Sequence, residues 1–273
     1  MPKRRQQTQL EPSKGYLLVA SYSKAYYDAA IRCAISIRDH HPDARIVLFT
    51  HADFIKDSDR YLFEDVITGI PYHMRAKLWA LDKTPFDITL YLDCDTEIWH
   101  NDISNIFDLL GDSDIAITNI REYAGKGTNV SKTEKMTHHC GVFLYRKNTT
   151  ISFMQKWWCD YLIQTTRGPW PYPEYESNMK PWDQFTFWRL LKEEFKNIKM
   201  RVGIHKRLWV KNNIPGTPLI LASAEKKQNY SGKNKILIDD RPDNVEQWRS
   251  KGGFGILHTS AQDTIKQLQN IGL

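Results

Sequence analysis

The sequence predicts an α/β fold, with a mainly parallel sheet flanked by helices and a smaller α/β segment after it. Three observations carry this expectation. Residues 15–50 read apolar strand, loop, amphipathic helix, apolar strand, the pattern of two parallel strands joined by a crossover helix. Compact apolar runs then alternate with stretches of helical period as far as residue 200. After residue 205 the alternation restarts on a shorter scale, as a second small parallel βαβ arrangement. At 273 residues the chain is long enough for one large core plus an appendage. Its 41% hydrophobic and 26% charged content fits a globular chain and excludes a disordered or fibrous one.

In order along the chain, residues 1–14 are basic and polar and read as a disordered tail, with Lys3, Arg4 and Arg5 as its charged run. No apolar stretch behind them makes a signal peptide, and no run reaches the length of a membrane span, so a cytoplasmic protein is expected. Tyr16 to Ala20 is the first strand. Ala29, Ala30, Cys33, Ala34 and Ile37 recur at helical spacing, and 46–49 is apolar again after a His-Pro-Asp break. A helix is expected around Arg75 to Leu81, then a strand through Ile88, Leu90 and Leu92 that ends at Asp93. A helical turn at 103–110 and a strand at 114–120 follow.

Residues 121–138 lack periodicity and read as a mobile polar loop, 140–147 as a strand and 151–164 as a helix carrying Trp157 and Trp158. The stretch 165–183 is rich in Pro and aromatic residues and reads as an irregular loop. The helix QFTFWRLLKEEF follows it. In the last part KRLWVKNN reads helical, TPLILA and KILIDD as strands, NVEQWRSKG as a helix and GFGILH as a strand. AQDTIKQLQNI is a final helix with Thr259 or Ser260 as its cap.

Composition narrows the chemistry. The four cysteines, Cys33, Cys94, Cys140 and Cys159, form no C-x-x-C pair, which argues against a zinc cluster or a disulfide framework. A net charge of +6 favours an anionic partner such as a nucleotide-sugar, a nucleic acid or a phosphorylated glycan, although a solubilising surface gives the same sum. Aromatic residues make up 12% of the chain, nine of them Trp, which suits a pocket that stacks sugar or planar rings and equally an aromatic core.

The stretch LYLDCDTEIWH sets Asp93 and Asp95 one residue apart where a strand ends. Two such carboxylates repel. A cation resolves the repulsion, as does a division of labour between nucleophile and proton partner; a solvated turn is the third reading. In an extended strand the two side chains point to one side and converge on a hard divalent ion, Mn²⁺ or Mg²⁺, shared with substrate phosphates. The carboxyl end of a strand in an open α/β sheet is where ligands bind.

The surroundings of this pair resemble a known family. The segment MRAKLWALDKTPFDITLYLDCDTEIWHNDISNIFDLL resembles the GT-A glycosyltransferases, especially the glycogenin-like and lipopolysaccharide-galactosyltransferase-like retaining enzymes. There an Arg/Lys-bearing helix precedes a strand ending Leu-Asp-x-Asp. LLVASYS, HHCGVFLYRKN and PWDQFTF follow the family's order of motifs, with His139-Cys140 departing from its Asn-Ala.

The resemblance implies a GT-A-like domain over 15–204 and transfer of a sugar from a nucleoside diphosphate, a UDP-sugar above all, with Mn²⁺ or Mg²⁺. It implies Ala20, Ser21, Tyr22, Arg75, Lys77, Cys140 and Gly141 for the donor, and Asp93 and Asp95 for the metal. His258 of FGILH is the third metal ligand, with His205 as its rival. Asp183 and Gln184 fall on the sugar's reacting side, Asp183 being equally placed to cap its helix. The acceptor is a glycan or modified DNA.

Residues 205–273 bring a second resemblance. SAEKKQNYSGKNKILIDDRPDNVEQWRSKGGFGILHTSAQDTIKQL is similar to the C-terminal half of HAD-type phosphatases of phages, with Lys226 or Lys227, Asp239 and Asp240 at its motif positions. For a phage-encoded chain, the compartment is the host cytoplasm. The Asp-x-Asp-x-Thr nucleophile motif of that family is not matched at Asp93, where Thr96 comes one place early and Glu97 holds the next position. The tail therefore reads as a HAD-like segment that keeps the fold without the phosphatase chemistry, or is reused at the transferase site or for an acceptor. Two other functions compete: a phosphatase using Asp93, Asp95, Asp239 and Asp240, and a non-catalytic nucleic-acid or glycan binding module.

Overall fold

The computed structural model describes residues 11–119, 129–131, 134–136, 138–202, 216, 220, 222 and 224–272. Most of the N-terminal tail, most of the loop expected at 121–138, His205, the helix expected at 206–213 and most of the strand TPLILA lie outside them. The chain divides into two compact units, Met1–Thr217 and Pro218–Leu273.

The first unit is built on β1 (Lys14–Val19), β2 (Ile46–Phe49), β3 (Asp65–Ile67), β4 (Ile88–Leu92), β5 (Ile115–Asn119), β6 (His138–Arg146) and β7 (Met200–Val202). They form one sheet in the order β3-β2-β1-β4-β6-β5-β7. β1 pairs in parallel with β2 and β4, as does β2 with β3 and β5 with β7. β6 runs antiparallel to both β4 and β5. The sheet is therefore mixed and mainly parallel, as expected. β3 and β7 are additions: each is three residues long, too short for an alternation to register in the sequence.

Period-two alternation sorts the side chains into two cores. Tyr16, Leu18, Ile46, Leu48, Leu90 and Leu92 pack on one face against α1 (Lys24–His40). Its buried stripe of Ala29, Ala30, Cys33, Ala34 and Ile37 is the one its spacing predicts, and Ser23 caps it by accepting the Ala25 N–H at 3.2 Å. Leu17, Val47, Tyr91, Phe143 and Tyr145 face the other way, onto α2 (Ala76–Ala80), α3 (Lys147–Thr165) and α4 (Asp183–Glu193).

Two buried side chains fix where α4 begins. The indole N–H of Trp157, fully buried on α3, donates to the Asp183 carbonyl at 2.9 Å. Gln164 Nε2 donates to the carbonyls of Met179, Lys180 and Trp182 at 3.2, 3.0 and 2.9 Å, while its Oε1 accepts the Thr186 hydroxyl at 2.5 Å. An irregular, Pro-rich connection is thus pinned at its end by hydrogen bonds that a backbone without regular pairing needs.

The second unit holds α5 (Ala224–Lys227), the parallel pair β8 (Ile236–Asp239) and β9 (Phe254–Leu257), α6 (Pro242–Ser250) and α7 (Ala261–Asn270). Ser260, not Thr259, caps α7, accepting the Asp263 N–H at 3.1 Å.

Candidate active site

The site lies at the carboxyl ends of β1 and β4. β4 stops at Leu92, one residue before the expected end, and Asp93 to Thr96 form a turn closed by Thr96 N–H to the Asp93 carbonyl at 2.9 Å. The expectation that strand alternation aims Asp93 and Asp95 to one side is therefore corrected: a turn, not a pleat, sets their directions. Both still line one cleft, with Ser21, His73, Met74 and Lys77.

Antiparallel pairing of β4 with β6 brings the His139–Gly141 stretch beside this turn, and the Asp93 N–H donates to the Gly141 carbonyl at 2.7 Å. Gly141 is glycine for a spatial reason. A Cβ there would stand 2.7 Å from Asp93 Oδ2 and 2.7 Å from His139 Cε1, so the carboxylate and the imidazole edge share the space over the glycine. His139 Nδ1 accepts the Gly141 N–H at 3.3 Å.

Lys77 is the hub. Its nearly buried ammonium donates to Asp93 Oδ1 at 3.0 Å and to the Cys140 carbonyl at 3.1 Å, and stands 3.4 Å from Asp183 Oδ2. Arg75 Nε lies 3.3 Å from Asp183 Oδ1. Two cations thus face two carboxylates, and the cluster is electrically balanced.

Burial works to raise the Asp93 pKa, but Lys77, the Tyr91 O–H donating to Oδ1 at 2.5 Å, and Arg75 outweigh it and hold the group below the usual carboxylate range. Burial likewise works to lower Lys77, and Asp183 and Asp93 outweigh it, raising its pKa above that of an ordinary lysine. Burial, then Asp93, raises the Tyr91 phenol. Asp93 and Lys77 are therefore both charged across the neutral range.

Asp183 does not cap its helix. Trp182 is the cap residue and makes no side-chain capping bond, while the Asp183 carboxylate, 1% exposed, turns to the two cations. Around it three buried polar atoms make no hydrogen bond: Asp183 Oδ2, Gln184 Oε1 and Arg75 Nε. Asp183 Oδ2 and Arg75 Nε are held in ion pairs, with Lys77 and with Asp183 Oδ1, which leaves Gln184 Oε1 as a buried acceptor without a polar partner among the described residues.

The other residues expected at the donor are placed as follows. Ala20 is buried, and its N–H donates to the Phe49 carbonyl at 2.9 Å. Ser21 Oγ donates to the Pro71 carbonyl at 2.7 Å and lies 2.9 Å from His51 Nε2, tying three loops together. Tyr22 has φ of 71°, uncommon for a bulky residue, and its exposed ring stands 5.5 Å from that of Tyr72. The Cys140 side chain is fully buried, so this residue gives the site its carbonyl and not its thiol.

Asp93 Oδ2 and the exposed Asp95 are hard oxygen donors with no ion pair among the described residues, and they fit Mn²⁺ or Mg²⁺. Among the described residues no three His, Cys, Asp or Glu side chains cluster to hold a metal. The donor set therefore fits an ion shared with substrate oxygens and not a closed cage. His258 belongs to the second unit, where its Nδ1 lies 2.8 Å from the Thr264 hydroxyl.

Sequence reasoning missed Tyr91, His73 and His139. Each flanks a residue that it did find, and only His139, in a doubled His at the start of a strand, carried a visible signal. In the second unit Lys227 Nζ donates to Asp239 Oδ2 at 2.5 Å, and Asp239 Oδ1 accepts from the Arg241 N–H and Asn244 Nδ2 at 3.0 and 2.9 Å. Asp240 and Lys226 are exposed.

The fold and site together define a mixed α/β protein of the open-sheet class, with a charged cleft at the carboxyl ends of its central strands. No protein-family model matches the sequence, and no curated protein matches it. Among solved structures, the chain is similar to the glycosyltransferase GlyE of Streptococcus pneumoniae TIGR4 at 20% identity and TM-score 0.47, over 70% of this chain and 45% of that one. It is also similar to the galactosyltransferase LgtC in complex with donor and acceptor sugar analogues, at 14% identity and TM-score 0.44, over 92% of this chain and 81% of that one. The chain spans less than half the length of GlyE in the first of these matches.

Proposed function

We propose that this chain is a metal-dependent, retaining glycosyltransferase that moves a sugar from a nucleoside diphosphate, a UDP-sugar above all, to an acceptor hydroxyl. The observation that carries the reading is the juxtaposition at one cleft of a carboxylate-bearing turn, Asp93 to Asp95, with a buried Lys77 that also reaches Asp183. Asp93 and Asp95 would hold Mn²⁺ or Mg²⁺, which would supply Lewis-acid stabilisation of the departing diphosphate.

The chain's own groups do the rest. Lys77 and Arg75 place positive charge where the diphosphate gathers negative charge as its bond to the anomeric carbon breaks. Asp183 holds both cations in place. Gln184 Oε1 is an acceptor without a hydrogen bond among the described residues, suited to a sugar hydroxyl, and it orients the ring as its anomeric centre becomes electron-poor. The second unit is proposed to keep a HAD-like frame without phosphatase chemistry: each oxygen of Asp239 is already engaged within the unit.

The test is a donor screen that follows release of free nucleoside diphosphate, with Mn²⁺ present and with chelator. Turnover is expected only with the metal, and Asp95→Asn should remove most of it while the melting temperature holds, because an exposed turn carboxylate contributes little packing. Full turnover in chelator would sink the metal assignment. Release of inorganic phosphate from a monoester, lost in Asp239→Asn and Asp240→Asn, would put the phosphatase reading first. The anomeric configuration of the product, read by NMR, decides retention.

A further inference from the structure

His73 lines the cleft at Asp93 and has no share in the ion pairs there. It stands in the loop between β3 and α2, where three hydrogen bonds hold it. Its backbone N–H donates to Ser21 Oγ at 3.3 Å, its carbonyl accepts the Ala76 N–H at 3.0 Å, and its Nδ1 accepts the Arg75 N–H at 2.9 Å. The ring also packs edge-on against Trp158 and Tyr161 of α3, with centroids 5.4 and 6.1 Å away. Neither of those rings lines the cleft, so the imidazole has α3 on one side and the cleft on the other.

These contacts fix the tautomer. A ring nitrogen that accepts a backbone N–H has committed its lone pair, so in the neutral imidazole the proton sits on Nε2. Burial, then Arg75, lowers the pKa of the ring below its ordinary value, which keeps it neutral at pH 7 and above. Nε2 makes no hydrogen bond among the described residues, and it is not one of the buried polar atoms left without a partner. It is an accessible donor in the wall of the cleft.

This tautomer excludes two of the three roles a histidine takes at such a site. With Nε2 protonated and Nδ1 engaged, the ring has no lone pair for a metal ion and no free nitrogen to take a proton as a base. What is left is donation of a neutral N–H. The cations nearest to it are Lys77, in the lining of the same cleft, and Arg75, whose backbone N–H sets the ring. Their charge calls for an anionic oxygen. A neutral donor beside two cations adds a hydrogen bond to that oxygen without adding to the repulsion between them.

We propose that His73 is a diphosphate-binding residue, its Nε2–H donating to a phosphate oxygen of the nucleoside diphosphate beside Lys77 and Arg75. The assignment of that oxygen to a nucleotide rests on the glycosyltransferase reading. Two substitutions separate the two nitrogens. His73→Asn puts an amide oxygen near the place of Nδ1, keeping the bond to the Arg75 N–H without a donor at Nε2. His73→Gln extends an amide N–H to the place of Nε2 and gives up the contact at Nδ1. The experiment measures, by calorimetry with Mn²⁺ present, the affinities of UDP, GDP and CDP and of the matching nucleosides.

His73→Asn is expected to weaken the tightest diphosphate about tenfold, the worth of one charge-assisted hydrogen bond. The matching nucleoside and the melting temperature should not change, and His73→Gln should recover most of the lost affinity. Unchanged diphosphate affinity in His73→Asn overturns the proposal. So does an equal loss for diphosphate and nucleoside, or an equal loss in both variants, since each makes His73 a support for its loop. If diphosphate binding depends on His73 but the chain transfers no sugar, the glycosyltransferase reading fails and the proposal stands. If sugar is transferred and His73→Asn keeps full diphosphate affinity, the reading stands and the proposal fails. Absence of any diphosphate binding overturns both.

Discussion

Lys77 holds two carboxylates, and removing it should show how much of the site is structural. Lys77→Met leaves Asp183, 1% exposed, with Arg75 as its remaining cation. Breaking a buried pair in this way typically costs about 3–5 kcal/mol, because one charge is left buried without compensation. Urea unfolding should find that loss, and Asp183→Asn in the same chain should recover part of it, because the two sites are coupled.

The cluster also makes a pH statement. Asp93 is depressed, so its contribution is present above the ordinary carboxylate range and is lost as pH falls through its lower folded value. Lys77 is raised, so its contribution is present below the ordinary lysine value and is lost only at higher pH. Between those limits the cluster is silent. His138 is not: its folded value of about 4 lies below the unfolded imidazole's, so the unfolded chain binds the extra proton first and stability declines as pH falls from neutrality. A loss of roughly 2 kcal/mol is expected by pH 4.5, and His138→Phe should remove that slope in urea melts at the two pH values. An unchanged slope would mean that His138 is solvated.

At the scale of elements, α3 and α4 are joined by a buried ion pair. Arg189, 7% exposed at its side chain, donates to Asp160, 8% exposed, and reaches Glu193 at 2.9 Å. Lys156 adds a second contact to Asp160 at 3.1 Å. Arg189→Met should destabilise by leaving buried Asp160 with Lys156 as its remaining cation, whereas the double change Asp160→Leu, Arg189→Met should be milder, because an apolar pair of similar volume leaves neither charge buried. Thermal melts of the single and double variants settle the order. The consequence reaches the candidate site, since α4 begins at Asp183.

For the molecule as a whole, the two units differ in how much apolar surface they bury. The first has two extensive cores across its sheet. In the second, Val245, Trp248 and Ile256 are buried, while Ile238, Phe254 and Ile265 remain 46%, 49% and 54% exposed. A short unit with so small a core opens at lower free energy than a large one. Hydrogen exchange should therefore find amides of β8 and β9 exchanging well before those of β1 and β4. Equal protection in both units would show that the second draws stability from more than its own core.

Much of this architecture is legible from local chemistry alone. The stripe of small residues on α1 and the apolar run of β2 declare themselves by period, and the Asp93–Asp95 pair marks a candidate site because a strand's carboxyl end is where ligands gather. The turn at Asp93 was hidden because its backbone is shared: the N–H still pairs with β6, while the carbonyl bends to Thr96. The partners of these residues were hidden altogether. That Asp183 would face Lys77 instead of capping its helix, that Cys140 would offer a carbonyl, and that His139 would stand over Gly141 beside Asp93 all depend on the register of β6 against β4 and on the packing of α3 that sets the start of α4. Periodicity reports which face of an element is buried; which charge meets which across two elements is fixed only when their backbones are docked.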